Sequence, residues 1–255
     1  MRITGRPKTS IYQHIRNLPL SEKRIQSYKN ASGEHIRKFA LARKGMSEKV
    51  FSRFETWTPE LVLLVAHLSF DGGLRHGIVE YNNRSETLIR RVELLMQKLY
   101  EHEPKRILNP KTGVIRTSYY NVPFSSYLKN KSNELLRKIG DCDLKLKREF
   151  LRAFFDDEGC MDFKPSNNKK RVRGYQKNVE VLYLVQTLLK DMGIDSRITF
   201  PNEVVISGKE NLVIFQKEIN FSLGVCINGN RSNSVWKEHL EKRELLEMAI
   251  NSYKT

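Results

Sequence analysis

The chain has 255 residues, enough for one large domain or two small ones with real cores. It carries 45 Lys and Arg against 29 Asp and Glu, a formal charge of +16. That excess points to a polyanionic partner, nucleic acid before an anionic membrane surface. Cys142, Cys160 and Cys226 are far apart and form no CxxC, which argues against a zinc site or a disulfide framework. A reducing, intracellular setting follows as the expectation, whether cytoplasm, nucleoid or organelle. MRITGRPKTS at 1–10 has no apolar signal core, and LVLLVAHLSF at 61–70 is too short to span a bilayer.

The first 57 residues are basic and polar. Within 6–25, Thr9 or Ser10 serves as N-cap, Ile11, Ile15 and Leu18 share one helix face, and Pro19 ends the piece. It reads equally as part of a helix-turn-helix or as a basic arm. Residues 26–57 read as linker and helix fragments. From Thr58 and Pro59 the pattern changes to a helix over 59–73, then two short strands within 74–83 and an amphipathic helix over 85–103. Strands at 105–109 and 114–121 flank a PKTG turn, and 124–140 is helical. The order then repeats. A helix at 147–159 leads to strands at 160–164 and 171–178, a helix at 179–193, strands at 195–200 and 203–207, and helices at 209–221 and 234–250. The expected fold is α+β, with one α-β-β-α-β-β-α unit used twice. The domain division is 1–57, 58–145 and 146–255.

The second unit opens with LRAFFDDEG, 151–159, whose helix ends in three carboxylates and a glycine stop. Acids are unfavourable at a helix C-terminus, so a cation should compensate: a divalent metal, or nearby Lys or Arg. The first unit repeats the oddity, because Asp71 stands before Gly72 as Glu158 stands before Gly159. Two helices side by side about a pseudo-twofold axis would bring both acids to one end, where they repel unless a cation lies between them.

These residues resemble the LAGLIDADG homing endonucleases in their single-chain, two-motif form. The first copy is LVAHLSFDG, 64–72, and the second is LRAFFDDEG. His67 replaces an apolar residue and Ser69 replaces the first motif acid. Ala66 and Ala153 are small residues for close helix contact, while the other small positions carry Phe70 and Asp157, which widens the expected helix interface. The resemblance implies two sheets forming a saddle on double-stranded DNA, a long pseudo-palindromic target, a monomer, and Mg²⁺ or another divalent metal held by Asp71 and Glu158. Lys145 or Lys147, and Arg231 in the second half, are implied as basic catalytic residues.

Arg171, Arg173, Tyr175 and Lys177 alternate onto one strand face, as base and phosphate readers do. Arg75, Lys105, Arg116, Tyr119, Lys164, Lys169, Lys170 and Arg197 are further DNA-contact candidates. His67 and His76 neighbour Asp71, with a packing role preferred for His67. Trp57 is expected to dock onto the domain and Trp236 to join the core of the last helix. The functional expectation is a site-specific, metal-dependent DNA endonuclease, with a non-cleaving DNA-binding regulator or an RNA maturase as alternatives.

Overall fold

The computed structural model describes residues 19, 21–47, 51–167, 169–227, 235–237 and 239–253. Most of the helix-turn-helix candidate at 6–25, and Arg231, lie outside them. The chain divides into two compact units, Met1–Lys49 and Val50–Thr255.

In the first unit, α1 runs unbroken from Glu22 to Ser47 (Glu22–Ser47) rather than as fragments. In the helix Gly33 faces open space, and an interior glycine costs only about 1 kcal/mol.

The second unit contains the repeats. In the first repeat, α2 (Pro59–Phe70) is followed by β1 (Gly72–Arg75), β2 (Ile78–Asn83), α3 (Glu86–Tyr100), β3 (Lys105–Leu108), β4 (Ile115–Tyr120) and α4 (Val122–Lys138). In the second, α5 (Leu144–Glu158) is followed by β5 (Gly159–Lys164), β6 (Lys169–Tyr175), α6 (Val179–Asp191), β7 (Ser196–Thr199), β8 (Glu203–Ser207) and α7 (Lys209–Glu218). The last helix, α8, is Lys242–Asn251. Side chains set many of these starts. Thr58, Ser85, Asn121 and Asp143 cap α2, α3, α4 and α5 by accepting from Leu61, Leu88, Phe124 and Leu146 N–H groups.

The two antiparallel sheets have matching strand orders, β1-β2-β4-β3 and β5-β6-β8-β7. Helices cover one face of each sheet, and α2 and α5 pack against each other at the centre of a continuous apolar core. The chain ahead of α2 docks on the first repeat. Phe51 and Phe54 pack edge-on against Phe124 and Tyr100, and the Phe54 N–H donates to the Tyr127 hydroxyl at 2.9 Å. Lys131 places its ammonium 4.7 Å from the Trp57 ring centre.

Two expectations change at the second motif and the C-terminus. Gly159 is an extended cap with φ −94°, not a left-handed stop. A side chain there would overlap the Phe155 carbonyl, and one at Gly72 would overlap that of Leu68. Both glycines are therefore needed for the close turn from helix into strand. The last helix begins at Lys242 rather than 234, where the Glu241 N–H donates to Glu244 Oε2 at 2.9 Å. Trp236 precedes that helix, stacking on Phe163 and donating to its carbonyl at 3.0 Å.

Candidate metal site and nucleic-acid face

The three acids ending α5 have three different surroundings. Asp156 is buried, accepting from Arg91 Nη1 at 2.8 Å and from the Ser222 N–H at 2.9 Å. Arg91, on α3, also donates to Ser222 Oγ at 2.7 Å, so this acid ties the two repeats together. Asp157 is fully buried against the first repeat, with His67 Nδ1 at 2.9 Å and the Tyr81 hydroxyl donating at 2.6 Å. Glu158 has no hydrogen-bond or ion-pair partner among the described residues.

Asp71 is the C-cap of α2, and Glu158, which matches it in the motif, is the last residue of α5. Asp71 accepts from Asn83 Nδ2 at 2.7 Å, and the same amide reaches the Tyr81 hydroxyl at 3.3 Å. A polar chain thus runs from His67 through Asp157, Tyr81 and Asn83 to Asp71. Burial first, then the charges of Asp157 and Glu158, pushes the Asp71 carboxyl up to about 8. Burial and Asp157 push Glu158 up to about 7. Both acids therefore hold protons near neutrality that a dication would displace.

One compensating cation is Lys242, which the sequence reading passed over. Its buried ammonium donates to the Asp156 carbonyl at 2.7 Å and to the Phe155 carbonyl at 3.4 Å. It thereby satisfies the otherwise orphan carbonyl of Asp156, adds a second donor to the Phe155 carbonyl that the Gly159 N–H already serves, and opposes the helix dipole there. Burial pulls the Lys242 pKa down, while Asp156, Cys160, Asp157 and Asp71 oppose that shift. A helix expected over 234–250 gives Lys242 no special place. The acid pair Glu241 and Glu244 around a helix start was the available signal.

Lys145 and Lys147 are corrected. Both sit in the first turn of α5, about 16 Å (Lys147) and about 20 Å (Lys145) along the axis from Glu158. Lys147 is buried in an ion pair with Asp191 at 2.6 Å, and exposed Lys145 interacts with Glu60 at the start of α2. Neither reaches the acids. Among the described residues no group of three or more His, Cys, Asp and Glu forms a ready metal cage. Asp71 and Glu158 carry carboxylate oxygens, hard donors of the kind that Mg²⁺ takes.

The interface positions are all inside or at the helix pair. Ala66 and Ala153 are fully buried, and Phe70 packs edge-on against Phe150 and Phe154. Asp157 meets His67 as described above.

Strand register sorts the DNA-contact candidates. On the face away from the helices, Arg75 pairs with Glu80, and Arg116 donates to Asn82 at 2.8 Å. Arg171 donates to Asp162 at 2.9 Å and Arg173 to Glu203 at 2.7 Å. Lys105 and Arg197 are exposed on the same face, opposite Ser118 and Val205. Lys164 and Lys169 stand directly opposite each other, a like-charge pairing that a polyanion would relieve. Tyr175 is exposed there and accepts from Asn202 at 2.7 Å. Lys177 is exposed beyond the end of β6.

Two candidates point the other way. Tyr119 is buried on the helix side, one register step from exposed Tyr120. Lys170 also faces away, bonding the Ser252 carbonyl at 3.2 Å and lying 4.0 Å from the Tyr253 ring centre.

Residues 145–220 match the LAGLIDADG-like domain family. This chain carries a LAGLIDADG-like domain. The motif LRAFFDDEG falls inside the matched stretch, and LVAHLSFDG precedes it. The LAGLIDADG fold is shared with full-length DUF199/WhiA from Thermatoga maritima, at 17% identity and TM-score 0.52, over 82% of this chain and 65% of that one. The N-terminal LAGLIDADG domain of DUF199/WhiA is similar at 18% identity and TM-score 0.50, over 67% of this chain and 88% of that one. The homing endonuclease I-DmoI, in complex with DNA and calcium, gives 18% identity and TM-score 0.48 over 65% of this chain and 91% of that one. No curated protein matches the sequence. Among the described residues no helix is long and apolar enough to cross a membrane.

Proposed function

We propose that the protein is a site-specific, metal-dependent double-strand DNA endonuclease of LAGLIDADG type, with one motif acid serving each half-site. The observation that carries this reading is the treatment of the motif acids. Asp156 and Asp157 are consumed by buried structural partners, whereas Asp71 and Glu158, at matching helix ends, are in no ion pair among the described residues. Carboxylates at helix C-termini without an ion-pair partner oppose stability, so their retention fits a ligand that the site is built to take.

Asp71 and Glu158 would hold Mg²⁺ or a similar dication, which supplies an activated water and stabilises the leaving 3′-oxygen. Asn83 orients Asp71 through its amide. Lys242 fixes the end of α5 and hence the position of Glu158. The open sheet faces, with Lys105, Arg116, Lys164, Lys169, Arg171, Arg173, Tyr175 and Arg197, would hold a long duplex target. The repeats are proposed to span 58–145 and 146–255 and to act together in a monomer.

A second reading, a DNA-binding regulator without cleavage, is favoured by Lys242. Its ammonium compensates the acids without any metal, as a binder requires.

The deciding experiment is cleavage of a randomised duplex library in Mg²⁺, beside the chain carrying Asp71→Asn and Glu158→Gln. Discrete cuts by the wild type that vanish in the variant are expected. Salt-sensitive DNA retention by both proteins with no cuts by either would transfer the case to the regulator.

A further inference from the structure

The register of the two sheets permits residue-by-residue superposition. Gly72 pairs with Tyr81 and Gly159 with Gly174, which aligns β1 and β2 with β5 and β6. Arg75 then matches Asp162, and Glu80 matches Arg173. Arg116 lies opposite Asn82 and Glu203 opposite Tyr175, so Arg116 matches Glu203.

The result is two charged triads of inverted sign at the same places. In the first sheet Glu80 sits between Arg75 and Arg116, the latter at 3.8 Å. In the second, Arg173 sits between Asp162 at 3.6 Å and Glu203 at 2.7 Å. Each triad satisfies cross-strand charge pairing. Pairing alone does not require the inversion, because equal signs in both sheets would pair as well. What the inversion changes is the chemistry offered outward. The first sheet presents two exposed guanidiniums, whereas the second carries two part-buried carboxylates around Arg173, with Arg171 also donating to Asp162 at 2.9 Å. A guanidinium donates to guanine O6 and N7, whereas a carboxylate accepts from cytosine N4.

We infer that the two half-sites of the DNA target differ in base-pair polarity at the positions facing these triads, with guanine read by Arg75 and Arg116 where cytosine is read by Asp162 and Glu203. The inference rests on the DNA-binding reading above. An internal control stands beside it. Lys105 and Arg197 are also matched, and they share a sign. The base pairs they face are expected to keep the dyad symmetry.

The test is selection of bound duplexes from a randomised library by the full chain in EDTA, so that nothing is cut. The selected consensus should break its dyad at the triad positions and keep it at the Lys105 and Arg197 positions. Arg75→Asp, Glu80→Arg and Arg116→Glu together turn the first triad into a copy of the second. The consensus of that variant should become palindromic there, reversing a preference on the order of tenfold to a hundredfold. Glu203→Gln, near-isosteric and on the surface, guards against misfolding of the triple variant. It should weaken base preference at its own position alone. A wild-type consensus palindromic at the triad positions, or one unmoved by Glu203→Gln, overturns the inference while leaving DNA binding intact. Absence of salt-sensitive retention of any duplex would remove the DNA reading itself.

Discussion

On one side of the central helix pair His67 meets Asp157 at 2.9 Å, and on the other Phe154 meets Phe70 with ring centres 5.2 Å apart. These are the same two motif positions, the fourth and the seventh, seen from opposite halves. The strand beneath follows suit. Tyr81 fills the space behind His67, while its match Gly174 leaves room for the Phe154 ring. One half therefore closes the interface with a buried polar network and the other with aromatic packing. The lesson is that a repeat pair can diverge in chemistry when three positions change together, because each partner set must be complete within itself.

The comparison breaks most severely at the polar side. His67→Leu leaves Asp157 buried without its imidazole, and an unfolding midpoint in urea should report a loss of about 3–5 kcal/mol. Adding Asp157→Leu should recover much of it, so the double-variant cycle gives a coupling well above zero. Additive losses would show that the pair does not act as a unit.

Next in size is the response to pH of the metal-free protein. Asp71 and Glu158 have raised pKa values in the fold, so the folded state binds more protons than the unfolded state between about pH 4 and 8. Stability in EDTA should fall as pH rises through that window, by on the order of a few kcal/mol. Asp71→Asn with Glu158→Gln should flatten the slope and raise the melting temperature at pH 8. A slope unchanged by the substitutions would place its origin elsewhere.

On the aromatic side, Gly174→Ala should cost about 1–3 kcal/mol, because its methyl meets the buried Phe154 ring. Phe154→Leu in the same chain should relieve part of that cost in a thermal melt. The smallest effect sharpens the sheet faces. Lys170→Ala should leave the salt dependence of duplex binding unchanged, whereas Arg197→Ala should lower its slope by about one counterion.

The repeat, its element order and the paired acids were legible in the sequence because periodicity and glycine placement are local signals. Register was not: Tyr119 is expected in the groove, and a difference of one step puts Tyr120 there instead. An interior Gly33 is a poor helix former, which works against reading 22–47 as one helix. Asp71 and Glu158 were legible as the ligand pair, but what neutralises Asp156 and Asp157 was not. Their partners, Arg91, Ser222, His67 and Tyr81, come from distant parts of the chain and leave no mark near the motif. Lys242 was lost for the same reason.

Lys242 also has a consequence in time. The acids of α5 emerge from the ribosome more than 80 residues before the ammonium that caps their helix. A nascent chain, or one clipped ahead of residue 242, holds its carboxylates at a helix end with that cation missing. Completion of the candidate site is thus tied to synthesis and docking of the last helix, so a truncated product carries the motif without its finished geometry.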